Sequence, residues 1–396
     1  MKLIVLNLGI IRSDSNTMGY KFEAIIGTYE QFLVGYKLCK VDGERKFVQS
    51  FANHSHQGSV KSIAISGKWL ASSGSDEIIH IYDMLERKQS GTLMKQNGSV
   101  NSIAFTPDTS YLLSGSEDGS IAIFKTGSWH MEKLLKNAHD GEGVTALAVH
   151  PTGKMALSLG KDITLKTWNL VKGRSAYTTN LARSGCRLLD LLVWSPDGSH
   201  YAVPMNNLVD VFSVALAGVS HTFHLKKKVT AIIFLTDSIV CMGEEDGSIS
   251  AHSLSTGVEC WRVSGAKRVR GIALHKRHLV AACSGGTITA YKLPQPAEQP
   301  SLLASIDTGC RITCLTVCGK SFRKIKEENE EVDGSTLGEA VEVAEDDSES
   351  EIVVANGTSK RRVNDTDEPA LKKKKKKLNN KKSNTLNWTI TPTKST

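Results

Sequence analysis

The chain has 396 residues, a formal net charge of +8 and 40% hydrophobic residues, enough for one large domain with a tail or for two ordinary domains. Glycine is high at 33 and proline low at 9, a balance that fits a protein built from many tight hairpins. No run approaches the ~18 apolar residues of a membrane-spanning helix, and no Cys-x-x-Cys pair occurs among the eight cysteines, which excludes a zinc ribbon or a thioredoxin-type motif.

In chain order, MKLIVLNLGIIRSDSNTMGY superficially resembles a secretion signal, but its apolar run is short, Asn7 interrupts it and no small-x-small cleavage site follows. Met18 stands just before the first recognisable strand, so residues 1–17 are read as a separate extension, dispensable or a misplaced start. AIIGTYEQFLVGYKL (24–38) predicts two apolar strands around a Gly27–Gln31 turn, and RKFVQSF (45–51) predicts an edge strand. A repeat then begins, with copies at SVKSIAISGKWLASSGSDEIIHIY (59–82), SVNSIAFTPDTSYLLSGSEDGSIAIF (99–124) and GVTALAVHPTGKMALSLGKDITLKTW (143–168). More worn copies follow at 188–212, 228–252 and 268–291, with a truncated seventh, CRITCLTVCGKS, at 310–321.

The first strands of these copies are placed at Val60, Val100, Val144, Leu189, Val229, Val269 and Ile312, at gaps of 40, 44, 45, 40, 40 and 43 residues. Each copy reads as an alternating apolar strand, a Pro/Gly/Asp turn, a small-residue strand, an Asp-centred turn and a strand ending in an aromatic. That period and pattern predict propeller blades of four antiparallel strands. Six copies and a fragment leave a ring open. The two strands of 24–38 and the edge strand at 45–51 supply three strands of a seventh blade, and Ile312–Cys318 supplies its innermost one. The expected fold is all-β: a seven-bladed propeller over 18–320 followed by a disordered charged tail over 321–396.

Between Ala24 and Cys318 the repeats resemble the WD-repeat family, in which a His, a Ser/Thr, an Asp and a Trp lock each blade by hydrogen bonds. The blade starting at Val144 matches all four through His139, Ser158, Asp162 and Trp168. Ser72 with Asp76 and Ser114 with Asp118 match in the two preceding blades, where Tyr82 and Phe124 replace the tryptophan and His54 or His56 is available to the first. Later blades depart from the pattern: Asn206 and Gly285 stand at the aspartate position, Met242 and Ala281 at the serine position.

Catalytic patterns are missing. Twelve histidines give no His-x-x-x-His or His-Glu-x-x-His, Gly-x-Ser-x-Gly is absent, and Gly141 and Gly143 lack the lysine and serine of a phosphate cradle. His54 and His56 read as turn hydrogen-bonders, and the regular repetition of the turn aspartates marks them as structural. Cys310, Cys314 and Cys318, four apart, read as core residues on one strand face, and scattered cysteines suit a reducing compartment. No metal, cofactor or catalytic residue is assigned.

Charge is more informative. Arg187, Lys226, Lys227, Lys228, Lys267, Arg268 and Arg311 each stand where the chain leads into an innermost strand, and in a propeller those lead-in loops share one face. The equivalent loops of earlier blades are neutral or acidic, as at Asn97-Gly98 and Asp140–Glu142, so half of that face is expected to be positive and to dock RNA backbone or an acidic protein. After Lys320 the β pattern stops. Residues 327–351 carry twelve acidic residues and no lysine or arginine, and 360–396 carry twelve basic residues against three acidic. Such like-charge blocks cannot bury a core. Two clusters, Lys360, Arg361 and Arg362, then Lys372, Lys373, Lys374, Lys375, Lys376 and Lys377, fit a bipartite nuclear-import signal and phosphate neutralisation rather than base reading. Ser348 and Ser350 lie in an acidophilic-kinase context.

EIIHIYDM (77–84), LKTWNLVKGRSAY (165–177), LLVWSPDG (191–198) and CRITCL (310–315), with the opening hairpin and a lysine-rich tail, resemble the PAK-family-kinase-interacting branch of WD-repeat proteins. That resemblance implies a non-enzymatic scaffold in the nucleus and nucleolus. It implies partners among large-subunit pre-ribosomal assembly factors, with pre-rRNA contact through the basic tail, and binding to the regulatory region of a PAK-family kinase so as to restrain it. A ubiquitin-ligase adaptor is the other reading, weakened by the lack of a helical docking motif before the propeller.

Overall fold

A computed structural model describes residues 20–182 and 189–319. The expected extension at 1–17, Arg187, and the tail from Lys320 onward lie outside the described residues.

Twenty-eight strands form seven four-stranded antiparallel sheets. One sheet joins β1 (Tyr20–Thr28), β2 (Leu33–Val41) and β3 (Glu44–Asn53) to the last strand of the chain. Blade 1 holds β4 (Val60–Ser66), β5 (Trp69–Gly74), β6 (Ile79–Asp83) and β7 (Lys88–Leu93). Blade 2 holds β8 (Val100–Phe105), β9 (Tyr111–Ser116), β10 (Ile121–Lys125) and β11 (Met131–Leu135). Blade 3 holds β12 (Val144–Val149), β13 (Met155–Gly160), β14 (Thr164–Asn169) and β15 (Arg174–Asn180). Blade 4 holds β16 (Val193–Trp194), β17 (His200–Met205), β18 (Leu208–Ser213) and β19 (Gly218–His224). Blade 5 holds β20 (Val229–Thr236), β21 (Ile239–Glu244), β22 (Ile249–Ser253) and β23 (Glu259–Val263). Blade 6 holds β24 (Val269–His275), β25 (His278–Cys283), β26 (Thr287–Lys292) and β27 (Ser301–Asp307), and β28 (Ile312–Cys318) ends the series.

The order β28-β1-β2-β3 closes the ring with three N-terminal strands and one C-terminal strand. Its register runs from Glu23 opposite Cys318 to Gly27 opposite Cys314, with an irregularity before Thr28 pairs Ile312. Each innermost strand packs against the next, and β28 contacts both β24 and β4, so the circuit of innermost strands is unbroken. Alternation along the strands sends one face of each sheet into the next blade's interlayer, and the core is accordingly a ring of clusters rather than one centre. Close approach between blades is built into the second strands. A Cβ on Gly27 would lie 2.5 Å from Val60 Cγ1, and the same holds for Gly115 against Val144 at 2.6 Å and Gly243 against Val269 at 2.7 Å. The first apolar residue of each following blade therefore sits over a bare backbone.

Two expectations need correction. Blade 4 has no inner strand at Leu189; β16 covers only Val193–Trp194, paired to Ala202 and Tyr201. Continued from Val193 opposite Ala202, that ladder would place Leu191 opposite Pro204, which has no N–H to give to it. Leu189 is still buried, and its carbonyl accepts a 2.5 Å hydrogen bond from Thr145 Oγ1 of blade 3. Cys310 precedes β28, so only Cys314 and Cys318 share that strand. The seven cysteines among the described residues are free thiols, and burial pushes the Cys318 thiol up to about 12 and Cys241 higher still, which leaves those two protonated core groups.

Deleting Ile312–Cys318 strips the N-terminal sheet of its inner partner and opens two edges at once. The whole ring should then melt at a markedly lower temperature or lose its cooperative transition in calorimetry; an unchanged melt would mean that closure contributes nothing.

Candidate functional site

Blade 3 assembles the residues that hold a blade shut. His139 lies in the lead-in loop to β12, Ser158 on β13, Asp162 in the β13–β14 turn and Trp168 on β14. His139 Nδ1 is 3.0 Å from Asp162 Oδ1, His139 Nε2 is 2.7 Å from Ser158 Oγ, and Trp168 Nε1 donates to the same hydroxyl at 2.8 Å. Donor logic fixes the direction of the chain. A carboxylate only accepts, so Nδ1 carries the proton; Nε2 then accepts from the serine hydroxyl, whose oxygen accepts from the indole. Asp162 also accepts from Thr164 N at 3.0 Å and Thr164 Oγ1 at 2.8 Å, which shapes the turn. His139 and Ser158 are fully buried, where an unmade bond is costly.

Blade 1 repeats the arrangement with His56, not His54: Nδ1 lies 2.9 Å from Asp76 Oδ2 and Nε2 lies 2.8 Å from Ser72 Oγ. Burial works against the Asp76 carboxylate, yet bonds from Gln57 N, His56 and Ile78 N hold its pKa below the ordinary value. Blade 2 brings Ser114 and Asp118 into the same places, but they do not share a partner. Gln96 stands for the histidine: its Oε1 accepts from Ser114 Oγ at 2.5 Å and its Nε2 donates to Ser120 O at 3.0 Å. Asp118 instead accepts from the backbone of Asn97 and Ser120, each at 2.8 Å. Gln96 escaped the sequence reading, although it precedes Val100 by the same four residues that separate His56 from Val60.

The worn blades use other means. Glu244, fully buried at the end of β21, takes Arg262 Nη1 at 2.5 Å and the backbone N of Lys227 at 3.1 Å, while Asp246 accepts from Ser248. In blade 4 the β17–β18 turn is a two-residue hairpin, with Met205 paired to Leu208 and Asn206 at φ 64°, so no side chain occupies the aspartate place; the Asn206 carbonyl accepts from Val229 N at 2.8 Å. A further link joins blade 1 to the closing sheet: fully buried Glu23 receives both terminal nitrogens of Arg87, at 2.8 and 2.7 Å.

The lead-in loops lie against the second-strand turns of their own blades through backbone bonds from Glu245 N to Lys228 O at 2.9 Å, Ser284 N to Arg268 O at 2.8 Å and Tyr29 N to Arg311 O at 2.9 Å. Lys228, Arg268 and Arg311 therefore stand at equivalent places. Lys226, Lys227 and Lys267 are exposed and make no ion pair among the described residues. Arg268 is paired with Glu245, and Arg311 with Glu30 at 3.0 Å while stacking 4.0 Å over Tyr29, so the positive surface is smaller than the sequence implies. Exposed Arg270, on β24, joins them and was missed because it lies inside the strand; burial of its neighbourhood and the Arg268 charge lower its pKa.

The seven-bladed ring with this His–Ser–Asp–Trp chain defines a WD-repeat propeller. The family model described as "WD domain, G-beta repeat" matches residues 45–83, 87–125 and 132–169, ending at the third strands of the three blades that keep the serine and aspartate. Over 306 residues the chain is 36% identical to "p21-activated protein kinase-interacting protein 1-like" of Danio rerio, covering 76% of this chain and 81% of the relative. It is 31% identical to "p21-activated protein kinase-interacting protein 1" of Homo sapiens, covering 77% and 79%, and 24% identical to "Protein MAK11" of Saccharomyces cerevisiae, covering 89% and 96%. The chain belongs to the p21-activated protein kinase-interacting protein 1 family.

Asp162→Ala should destabilise the ring by about 2–4 kcal/mol, because it leaves buried donors unpaired, whereas Asn206→Ala should cost less. Chemical denaturation of both variants checks this, and equal shifts would show that the chain of bonds adds nothing. The pH response follows from burial, which lowers the pKa of His56 and His139 against the opposing pull of Asp76 and Asp162. As pH falls below ~6.5 the unfolded chain binds protons first, so the stability present above that value is lost below it. Melting temperature should fall from pH 7 to pH 5, and less steeply in His139→Gln, which borrows the residue of blade 2.

Proposed function

We propose that this chain is a non-catalytic platform whose ring binds the regulatory region of a p21-activated, PAK-family serine/threonine kinase and restrains its activation. The observation that carries this reading is the identity, spread over three quarters of the chain, with relatives whose names state that interaction. The repeated turn aspartates are occupied in structural bonds, which accords with binding rather than turnover. The basic lead-in loops offer the docking surface. Lys226, Lys227, Lys267 and Arg270 are exposed and have no ion-pair partner among the described residues, a pattern suited to an acidic protein segment.

The second activity is a scaffold role in nucleolar assembly of the large ribosomal subunit, favoured by the lysine clusters of the tail. Charge without shape suits import receptors and RNA phosphates, whereas a specific protein interface needs the shaped, patterned surface of the ring. Residues 18–320 then select the protein partner, and 321–396 deliver and retain the protein.

Added to a purified PAK-family kinase, the chain should lower autophosphorylation, and Lys226→Glu with Lys227→Glu and Lys267→Glu should weaken that effect at least tenfold. Changing the nine basic residues of 360–362 and 372–377 to glutamine should disperse the protein from nucleoli and leave kinase binding intact. Retained nucleolar signal, or kinase binding lost with the tail alone, would refute the division.

A further inference from the structure

Blade 1 differs from blade 3 in a way that the blade-locking role does not require. Opposite Ser158, blade 3 places Lys166, which reaches outward to Asp140 at 3.3 Å, and the indole of Trp168 caps the serine. Opposite Ser72, blade 1 places a second imidazole, His80, with Tyr82 at the tryptophan position. His56, Asp76 and His80 then each offer one donor atom, all within 4.8 Å of one another, the one such group of three among the described residues. His56 and His80 are 2% and 5% exposed, and their rings meet edge to face at 4.4 Å.

The hydrogen bonds leave one atom of this group unused. Gln89 Nε2 lies 2.9 Å from His80 Nδ1, but His80 Nε2 is buried and has no partner. Leaving such a group unmatched is unfavourable, and a ligand at that nitrogen would remove the penalty. The Gln89 amide suits a metal-bound tautomer as well. Turned about its last bond, its oxygen accepts Nδ1–H of His80 while its nitrogen donates to Ser55 Oγ, now 2.8 Å away; this frees the Nε2 lone pair.

We propose that His56, Asp76 and His80 form a binding site for one Zn²⁺ ion. Two neutral imidazoles and a carboxylate are a donor set that zinc favours, with a fourth position for water. Donors on tetrahedral zinc stand roughly 3.4 Å apart, so His56 Nδ1 and Asp76 Oδ1, now 3.1 Å apart, open slightly on loading while His80 adjusts within the 4.8 Å span of the group. His56 binds through Nδ1, its proton moves to Nε2, and Ser72 Oγ turns to accept it. Asp76 keeps its bond from Gln57 N through Oδ2, at 2.9 Å, and ligates through Oδ1.

The test uses the full-length chain without a histidine tag, stripped with chelator. Co²⁺ should bind at one equivalent with the visible bands of a tetrahedral site, and Zn²⁺ should displace it and raise the melting temperature. His80→Gln removes a ligand without touching the His56–Asp76–Ser72 bonds; it should melt like the metal-free wild type and bind Zn²⁺ at least tenfold more weakly. X-ray absorption of the zinc-loaded wild type should show two imidazoles, which keeps the test decisive if the variant folds poorly. Absence of stoichiometric binding, undiminished binding by folded His80→Gln, or a coordination shell without two imidazoles would each overturn the proposal.

Discussion

The pairing of β28 with β1 is the contact on which the rest depends. A four-stranded sheet with one polar edge is marginal alone, and every blade here borrows half of its core from its neighbours. Closing the ring turns seven weak sheets into one structure in which every blade has a neighbour on both sides. The cost is the loop-closure entropy of joining residues almost 300 positions apart, which grows only slowly with length and is offset by a seven-residue ladder whose two ends, Ile312 and Cys318, are buried. Glu23 strengthens the same seam: it extends β1 toward Arg87 of blade 1, so the closing sheet is tied by charge on one flank and by backbone on the other.

Within blades, polar locking and apolar packing substitute for each other. Blades 1 and 3 carry a histidine that bridges serine and aspartate, while blade 2 keeps a glutamine in its place and leaves the aspartate to the backbone. Blade 5 replaces serine by fully buried Met242 and moves the charge to Glu244 and Arg262. The constraint common to all is not a particular residue but a turn that must be fastened to the preceding loop.

Much of this was legible in the sequence, and for a physical reason. Alternating apolar residues, turn glycines and a forty-residue period repeat because blades repeat, so six of seven inner-strand starts and the composition of the closing blade could be read directly. What the sequence hid was set by single residues acting across strands. Pro204 suppresses most of β16 from the adjacent strand, a pairing effect invisible along one stretch of chain. Gln96 replaces histidine with another side chain that can donate and accept. Arg268 and Arg311 read as free charge, but their carboxylate partners, Glu245 and Glu30, come from turns 23 and 281 residues away. The third donor near His56 was missed likewise, because His80 joins it only when two strands pair.

The position of β28 also dictates an order of events on the ribosome. Among the described strands, β1 to β3 are made first and their inner partner last, after the strands of all six other blades have been synthesised. Throughout that interval the nascent hairpin presents an unpaired apolar edge that includes Phe22, Ile25 and Ile26, all fully buried once the ring is shut. Local blades can form during synthesis, but the ring itself can form only once β28 has emerged. Newly made chains should accordingly need a holding chaperone until β28 emerges, and a chain that stops short of Ile312 is a substrate for quality control rather than a shorter version of the protein.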